Sequence, residues 1–177
     1  MGLSIHYNGK IKDTNLISSI TEEVKEICES LQWNYTLIGD DKVKGICFGP
    51  ENCEPIFITF IKDGRLVCPI SLQHKIESST TISVKTQYAG IDTHVAIIKL
   101  LKYLNTKYFS HFEILDEGDF WETEDENVLR SRFEDYESAL NKLTTVLENL
   151  ENKPGETIES TADRLEKFLR EKFSGNN

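Results

Sequence analysis

The chain has 177 residues, of which 38% are hydrophobic and 28% charged, and its 30 acidic and 20 basic side chains give a formal net charge of −10. This length and composition are typical of one globular domain, or of one domain with an appendage, and not of a fibrous or disordered chain. An acidic chain without a basic stripe repels phosphates, which argues against general electrostatic binding of nucleic acid.

The N-terminal residues and the apolar runs indicate a location. The first ten residues, MGLSIHYNGK, lack the basic region and apolar run of a secretory signal. Myristoylation requires Ser or Thr at the position that His6 occupies. No apolar run reaches the roughly 18 residues that would span a membrane. We therefore expect a cytoplasmic protein without a membrane partner.

The charge is distributed unevenly along the chain. Residues 1–115 carry 12 basic and 13 acidic side chains, whereas residues 116–177 carry 8 and 17, a net charge of −9. An acidic half keeps a protein soluble, which is the commoner reason for it, and it also attracts a basic protein partner. Both interpretations stay open at this stage.

The first half predicts a strand, a helix and then further strands. Alternation over residues 3–7 predicts a strand that ends at Asn8-Gly9. Asp13 or Thr14 then caps a helix. Its apolar stripe has the 3–4 spacing of a helix packed on a core and consists of Ile17, Ile20, Val24, Ile27 and Leu31. Strands follow over residues 33–38 and 45–48.

Two further patterns complete the predicted sheet. Lys62-Asp63-Gly64 predicts a hairpin with arms 55–61 and 65–68, because Asp-Gly supplies the positive φ angles of a tight turn. After a predicted loop over residues 73–80, a strand, a helix capped by Asp92 or Thr93 and a strand over residues 111–115 repeat the earlier order. The sequence therefore predicts an α+β fold in which two β-α-β-β-like halves form one antiparallel sheet with helices packed on it, as in ferredoxin-like or TATA-binding-protein-like folds.

The last third predicts helices. Residues 123–126 have the pattern of a capping box, with Glu126 reaching back to the cap amide. The helix that follows has an apolar seam spaced 4-3-4-3-4-3, formed by Leu129, Phe133, Tyr136, Leu140, Leu143, Leu147 and Leu150. Such a seam packs on the chain's own sheet or joins a homodimer, and both remain open. We predict a sheet domain over residues 1–123 and a helical segment over residues 124–177 packed on it, with a break at 153–155 and a second helix from Ser160.

Metal and covalent chemistry receive little support. The acidic run 116–126 offers oxygen ligands, but turn residues and the first turn of a helix explain most of it. The spacings Cys47-x5-Cys53 and Cys68-x5-His74 are too long for a zinc knuckle and predict buried thiols. The motifs of nucleophile elbows, phosphate loops and dinucleotide sites do not occur. We therefore expect no metal, no cofactor and no catalytic residue, although the sequence alone does not decide whether the chain is an enzyme.

Four residues form the predicted binding site: His94, Asp119, Trp121 and Glu122. His94 follows a glycine at a helix start, where the dipole disfavours imidazolium and suits a neutral ligand or base; the plainer interpretation is a surface histidine. Trp121 follows Phe120, so on a strand one of the two would fill the core and the other would be an exposed contact residue.

The segments ISVKTQYAGIDTHVAIIKLLKYL and FEILDEGDFWETED resemble those of a family of small uncharacterised bacterial cytoplasmic proteins. The resemblance implies no activity and no functional residues. Three hypotheses follow. The first is a non-catalytic, immunity-like or regulatory binding protein whose acidic C-terminal half contacts a basic protein. The second is a small-ligand-binding protein or enzyme with a cleft near Trp121. The third is a homodimer joined through the helix from Leu129 to Leu150.

Overall fold

The computed structural model of the chain describes residues 3–73, 81–148 and 166–167. These ranges contain both helices and antiparallel strands, which confirms the predicted α+β class. In chain order the elements are β1 (Ser4–Ile11), a 3₁₀ turn (Thr14–Leu16), α1 (Ile17–Leu31), β2 (Asn34–Gly39), β3 (Lys44–Gly49), β4 (Ile56–Phe60), α2 (Pro69–Gln73), β5 (Ile82–Lys85), α3 (Ile91–Tyr108), β6 (Phe109–Asp116), α4 (Phe120–Thr123) and α5 (Glu126–Glu148).

The strands form two antiparallel sheets, where one sheet was predicted. Their orders are β5-β1-β6 and β2-β3-β4. Two isolated bridges join them, Lys10 with Arg65 and Phe60 with Leu66. The predicted hairpin arm over residues 65–68 thus contributes single bridges and no full strand. The chain enters α2 at Pro69, and proline cannot donate to a β-ladder.

A tyrosine side chain adds a further link between the two sheets. Tyr7 of β1 is fully buried, and its hydroxyl donates to Phe57 O at 3.0 Å and accepts from Phe57 N at 3.1 Å. Burial disfavours the phenolate and raises the pKa of Tyr7. The phenol thus satisfies two backbone groups of β4 that a neighbouring strand would otherwise satisfy.

β1 continues past the turn that the sequence predicts. Asn8 and Gly9 lie within the strand and pair with Glu113 and Phe112 of β6. A Cβ atom on Gly9 would lie 2.8 Å from the carbonyl oxygen of His111. Gly9 therefore permits a close approach of β6, and the prediction that it ends the strand is wrong.

α1 follows the predicted apolar stripe for most of its length. The Asp13 carboxylate accepts from Asn15 N at 2.9 Å and caps the 3₁₀ turn before the helix. Ile20, Val24 and Cys28 are fully buried, whereas Leu31, predicted as core, is 48% exposed. Leu31 is the last residue of the helix, where the chain turns away at Gln32 with a left-handed φ of 56°.

α3 begins differently from the prediction. Its N-cap is Gly90, with φ 85°, so neither Asp92 nor Thr93 caps the helix. Asp92 lies in the first turn, where its charge interacts favourably with the helix dipole. Glu23 of α1 accepts hydrogen bonds from Lys107, Tyr103 and Tyr108, which hold α1 beside α3. Burial alone would raise the pKa of Glu23, but these three bonds outweigh it and lower that pKa.

The start of α5 also differs from the predicted capping box. Thr123 N donates to Asp119 O at 3.1 Å, so Glu126 does not accept from it. Instead the Asp125 carboxylate accepts from Asn127 N at 2.8 Å, and the helix begins at Glu126. Glu124 adopts a left-handed φ of 53° between α4 and α5, which shifts the cap from Thr123 to Asp125.

The chain divides into two compact units, Met1–Phe133 and Glu134–Asn177, where we predicted a boundary at 123/124. The first unit includes the start of α5, because Leu129 and Phe133 are buried within it. In the second unit Tyr136 and Leu140 are half-buried. Leu150, the predicted break at 153–155 and the predicted helix from Ser160 lie outside the described residues, apart from 166–167, as does most of the predicted loop over 73–80. Within the described ranges, no helix has the length and apolarity that crossing a membrane requires.

Candidate functional site

The turn after β6 is organised by one carboxylate, that of Asp116. The residue is 2% exposed. Its Oδ1 accepts from Gly118 N at 2.8 Å, and its Oδ2 accepts from Trp121 N at 2.9 Å. Two backbone amides are thus fixed by one side chain, as is common for Asp in turns. These bonds set where α4 begins and where Trp121 lies.

A buried histidine faces the same carboxylate. His94 lies in the first turn of α3, and its side chain is fully buried. Its Nε2 is 3.0 Å from Asp116 Oδ1, an ion-pair distance, although the angle of this contact departs from that of a hydrogen bond. Its Nδ1 is 2.7 Å from Thr86 Oγ1. The interpretation of His94 as a surface histidine is therefore wrong.

The hydrogen-bond network favours one arrangement of protons. Placing the proton of neutral His94 on Nε2 directs it toward the Asp116 carboxylate and leaves Nδ1 to accept from the Thr86 hydroxyl. The other acceptor for that hydroxyl, Leu3 O, is farther away at 3.4 Å. His94 thus connects the residue that follows β5 with the end of β6.

Apolar groups enclose this contact. The Phe133 ring meets the His94 ring edge-on, with centroids 6.0 Å apart and an interplanar angle of 88°. A Cβ atom on Gly118 would lie 2.5 Å from Leu129 Cδ1 and 2.9 Å from His94 Nε2, so glycine leaves just enough space here. The enclosed His–Asp pair joins α3, β6 and the start of α5.

Opposing effects set the protonation of Asp116. Burial on its own raises a carboxyl pKa, because the charged form loses water. The contact with His94 and the amides of Gly118 and Trp121 outweigh burial, so the pKa of Asp116 lies below its ordinary value. The carboxylate therefore stays ionised at neutral pH.

The four predicted binding residues have different surroundings. Asp119 Oδ2 pairs with Arg132, at 2.8 Å from Nε and 2.6 Å from Nη2. The half-exposed Trp121 ring lies 6.0 Å from the Phe112 ring, with Lys102 Nζ 5.3 Å from its centroid. Glu122 is exposed and His94 is enclosed.

These four side chains do not form one polar cluster. Asp116 contacts both His94, through the histidine side chain, and Trp121, through its backbone N. The sequence analysis missed Asp116 and Thr86 as its partners. The sequence does contain a pattern that indicates the role of Asp116, because an Asp two residues before a Gly at the end of a strand is typical of a turn. No pattern in the sequence connects Thr86 with His94.

Four exposed carboxylates follow Trp121 along the chain. We call Glu122, Glu124, Asp125 and Glu126 the acidic patch; all four are exposed. Lys102 pairs with Glu124 and holds the pKa of that carboxyl below its usual range. Phe120, the neighbour of Trp121, is 3% exposed, so the expected division between a core aromatic and an exposed one is present, on the short helix α4 and not on a strand.

The cysteines have no metal-site geometry. Cys28 is buried, and Cys47, Cys53 and Cys68 are half-buried, all as free thiols. Burial raises the pKa of Cys28 and of Cys53 to about 11, which disfavours the reactive thiolate. Among the described residues, no group of three or more His, Cys, Asp or Glu side chains could hold a metal ion; His74 lies outside them.

Comparison with known proteins does not assign this chain to a class, so the class is described from its fold. No protein-family model, curated protein or solved structure matches this chain. The resemblance to small bacterial cytoplasmic proteins therefore stays a prediction. The fold and the site define an acidic α+β protein with a structural His–Asp pair and an exposed patch of carboxylates beside a tryptophan.

Proposed function

We propose that this chain is a non-catalytic cytoplasmic binding protein, immunity-like or regulatory, whose acidic C-terminal half docks on a basic protein partner. The observation that carries the proposal is the acidic patch beside the half-exposed Trp121. It lies at the start of the segment 116–177, whose net charge is −9.

The physical chemistry of association supports this assignment. Carboxylates grouped on a surface steer a basic partner toward it and raise the association rate. A tryptophan among them supplies the large, rigid contact area that binding hot spots use. The ring of Trp121 rests on Phe112 and is thus held in place before binding, which lowers the entropy cost of its contact.

The small-ligand or enzyme hypothesis receives less support. It needs His94, Asp119, Trp121 and Glu122 around one cleft, yet His94 is enclosed and Asp119 is paired with Arg132. Three cavities lined by described residues lie elsewhere: at the start of α1, beside β2, and at the ends of β1 and β6.

Charge reversal tests the proposed docking surface. In Glu122→Lys/Glu126→Lys we expect roughly tenfold weaker retention of a partner captured from cell extract on immobilised protein, because steering becomes repulsion. Retention by the unmodified chain should also fall as salt rises above about 0.15 M, since salt screens exposed charges. Captured proteins are compared by quantitative mass spectrometry.

The matched control is Glu26→Lys/Glu51→Lys, which makes the same change in net charge at two exposed glutamates elsewhere. A partner specific for the acidic patch stays bound to the control. Equal losses in both double variants would show that only net charge matters, and retention that is insensitive to both reversal and salt would refute the proposal.

We also propose a homodimer through the part of the α5 seam that lies beyond Phe133. Leu129 and Phe133 are already buried in the first unit, and the seam continues in the second unit with Leu140 and Leu143. Leu143, further along it, is 38% exposed. Apolar residues at this spacing join helices in pairs.

Sedimentation tests this dimer. We expect the mass of the unmodified chain to rise from monomer toward dimer between about 1 and 100 μM, since association follows mass action. The double variant Leu140→Glu/Leu143→Glu should stay monomeric, because burying two unpaired carboxylates in the seam is unfavourable. A monomer mass for the unmodified chain at every concentration rules the dimer out.

A further inference from the structure

A cavity of about 530 Å³ lies at the start of α1, away from the acidic patch. Three segments line it: the beginning of α1, the turn between β2 and β3, and the end of β4. Its volume falls within the range of roughly 300–1,000 Å³ that small-molecule sites occupy.

Three lysines from two of these segments line the cavity. Lys42 lies in the turn between β2 and β3, Lys44 is the first residue of β3, and Lys62 follows β4. None of the three forms an ion pair with a carboxylate in the part of the chain that the structure describes, whereas Lys25 and Lys107 are each paired with a glutamate. In a chain of net charge −10, three lysines thus line one cavity, and the charge of Lys42 also acts on the Asp40 carboxylate.

Neutral donors complete the lining. Thr14 and Ser18 contribute hydroxyl groups, and Asn15 contributes an amide. Ser18 lies in the first turn of the 15-residue α1, which continues from the 3₁₀ turn that Asp13 caps. The positive potential of the cavity therefore comes from the lysines, because the Asp13 carboxylate already accepts from Asn15 N at this helical start.

Two aspartates oppose that potential, and one of them is already engaged. Asp40 Oδ1 accepts from Lys42 N and Val43 N, each at 2.7 Å, and these bonds lower the pKa of Asp40. Its carboxylate holds the turn that presents Lys42 and Lys44. Asp41 is the second aspartate and is exposed. The cavity lining therefore has three positive and two negative side chains.

We propose that this lysine cavity binds a small, multiply charged anion of the phosphate class. A phosphate group accepts several hydrogen bonds at once, which suits ammonium, hydroxyl and amide donors arriving from different segments. Lysine binds phosphate as a point charge, so the three ammonium groups need no fixed planar geometry. The cavity also has apolar lining from Ile17 and Ile61, so a phosphorylated small molecule fits it as well as a bare inorganic anion.

Titration with inorganic pyrophosphate tests the cavity. Calorimetry and amide shift mapping on the full chain should show one saturable site, with the largest shifts at Ser18 and over residues 40–44 and 60–62. Each of Lys42→Gln, Lys44→Gln and Lys62→Gln should weaken binding about five- to tenfold, as the loss of one charge-assisted contact predicts. Lys85→Gln removes the same charge from an exposed lysine on β5, outside the cavity, and should leave pyrophosphate binding unchanged.

A change of opposite sign sharpens the test. Asp41→Asn removes a negative charge from the lining and should tighten pyrophosphate binding about threefold, whereas Asp92→Asn, on α3, should not change it. A second titration with a nucleoside monophosphate asks whether the site takes organic phosphates. Tighter binding of the nucleotide assigns a phosphorylated metabolite, and tighter binding of pyrophosphate assigns an inorganic anion.

Two results would overturn the inference. One is the absence of saturable binding for both probes up to about 10 mM, the range in which even weak specific sites fill. The other is an equal loss of affinity in Lys85→Gln and in the cavity variants, which would mean that only overall charge attracts the anion. Thermal denaturation of each variant confirms that it is folded before its titration is interpreted.

Discussion

His94→Leu is expected to lower the free energy of unfolding by about 3 kcal/mol, because the buried Asp116 carboxylate loses the polar partner that faces it. Leucine cannot pair with Asp116, whose side chain is fully buried 3.0 Å from His94 Nε2. The loss is not larger because Asp116 keeps its hydrogen bonds from Gly118 N and Trp121 N. Thermal or urea denaturation followed by circular dichroism measures the change, which corresponds to a fall of about 6–12 °C in melting temperature for a chain of this length.

Asp116→Asn tests the same contact from the other side. The carboxylate uses both oxygens to accept from backbone amides, whereas asparagine has one oxygen and would turn its NH2 group toward the other amide. We expect a loss of about 2–4 kcal/mol, because a buried donor is left without an acceptor and the charge facing His94 is removed.

The matched control is His111→Leu. His111 also lies near a carboxylate, Glu113 Oε1 at 3.4 Å, but its side chain is 61% exposed. Exposed ion pairs contribute little to stability, so the melting temperature should scarcely change. If His94→Leu and His111→Leu melted together, the enclosed pair would not hold α3, β6 and α5 in place.

The pH dependence of stability follows from the direction of the Asp116 shift. The pKa of Asp116 is lower in the folded chain than its ordinary value, so the folded state favours the ionised form. The stability it contributes is present above the ordinary carboxyl range and is lost as the pH falls through the lower, folded value. The difference in stability between the unmodified chain and Asp116→Asn should therefore shrink as the pH falls below about 5 toward the lowered, folded pKa of Asp116.

Local patterns predicted most elements of this fold, because burial imposes them directly. The stripe Ile20, Val24 and Cys28 is buried as its spacing requires. The division of the strands into two sheets was not predicted, because it depends on which residues meet across the fold. Tyr7 reaches Phe57 across 50 positions, and no periodicity encodes that contact.

The site was harder to predict for the same reason. The acidic run was interpreted as a turn and a helix start, and no pattern in it distinguishes the enclosed Asp116 from the exposed Glu122. His94 occurs among residues typical of a helix start, where an exposed histidine is expected. Its burial depends on Phe133 and Leu129, which begin a helix well over thirty positions later.

Gly45→Ala is expected to destabilise the first unit by about 3 kcal/mol or more, through backbone strain and overpacking together. Gly45 has φ 144°, a conformation that side chains rarely adopt. A Cβ atom there would lie 2.1 Å from Ile58 O and 2.8 Å from Thr59 Cα. Both are backbone atoms of β4, so the clash cannot be relieved by turning a side chain, and the pairing of β3 with β4 must shift.

Gly39→Ala provides the matched control within the same hairpin. Gly39 is the last residue of β2 and follows Ile38, which pairs with Gly45. A Cβ atom on Gly39 would meet no other atom within 4 Å. The alanine should leave stability unchanged or raise it slightly, because it restricts only the unfolded chain. In the sequence both glycines flank the same turn, so only the paired strand β4 distinguishes them. Equal melting temperatures for the two variants would show that β3 and β4 do not approach as closely as the contacts of Gly45 require.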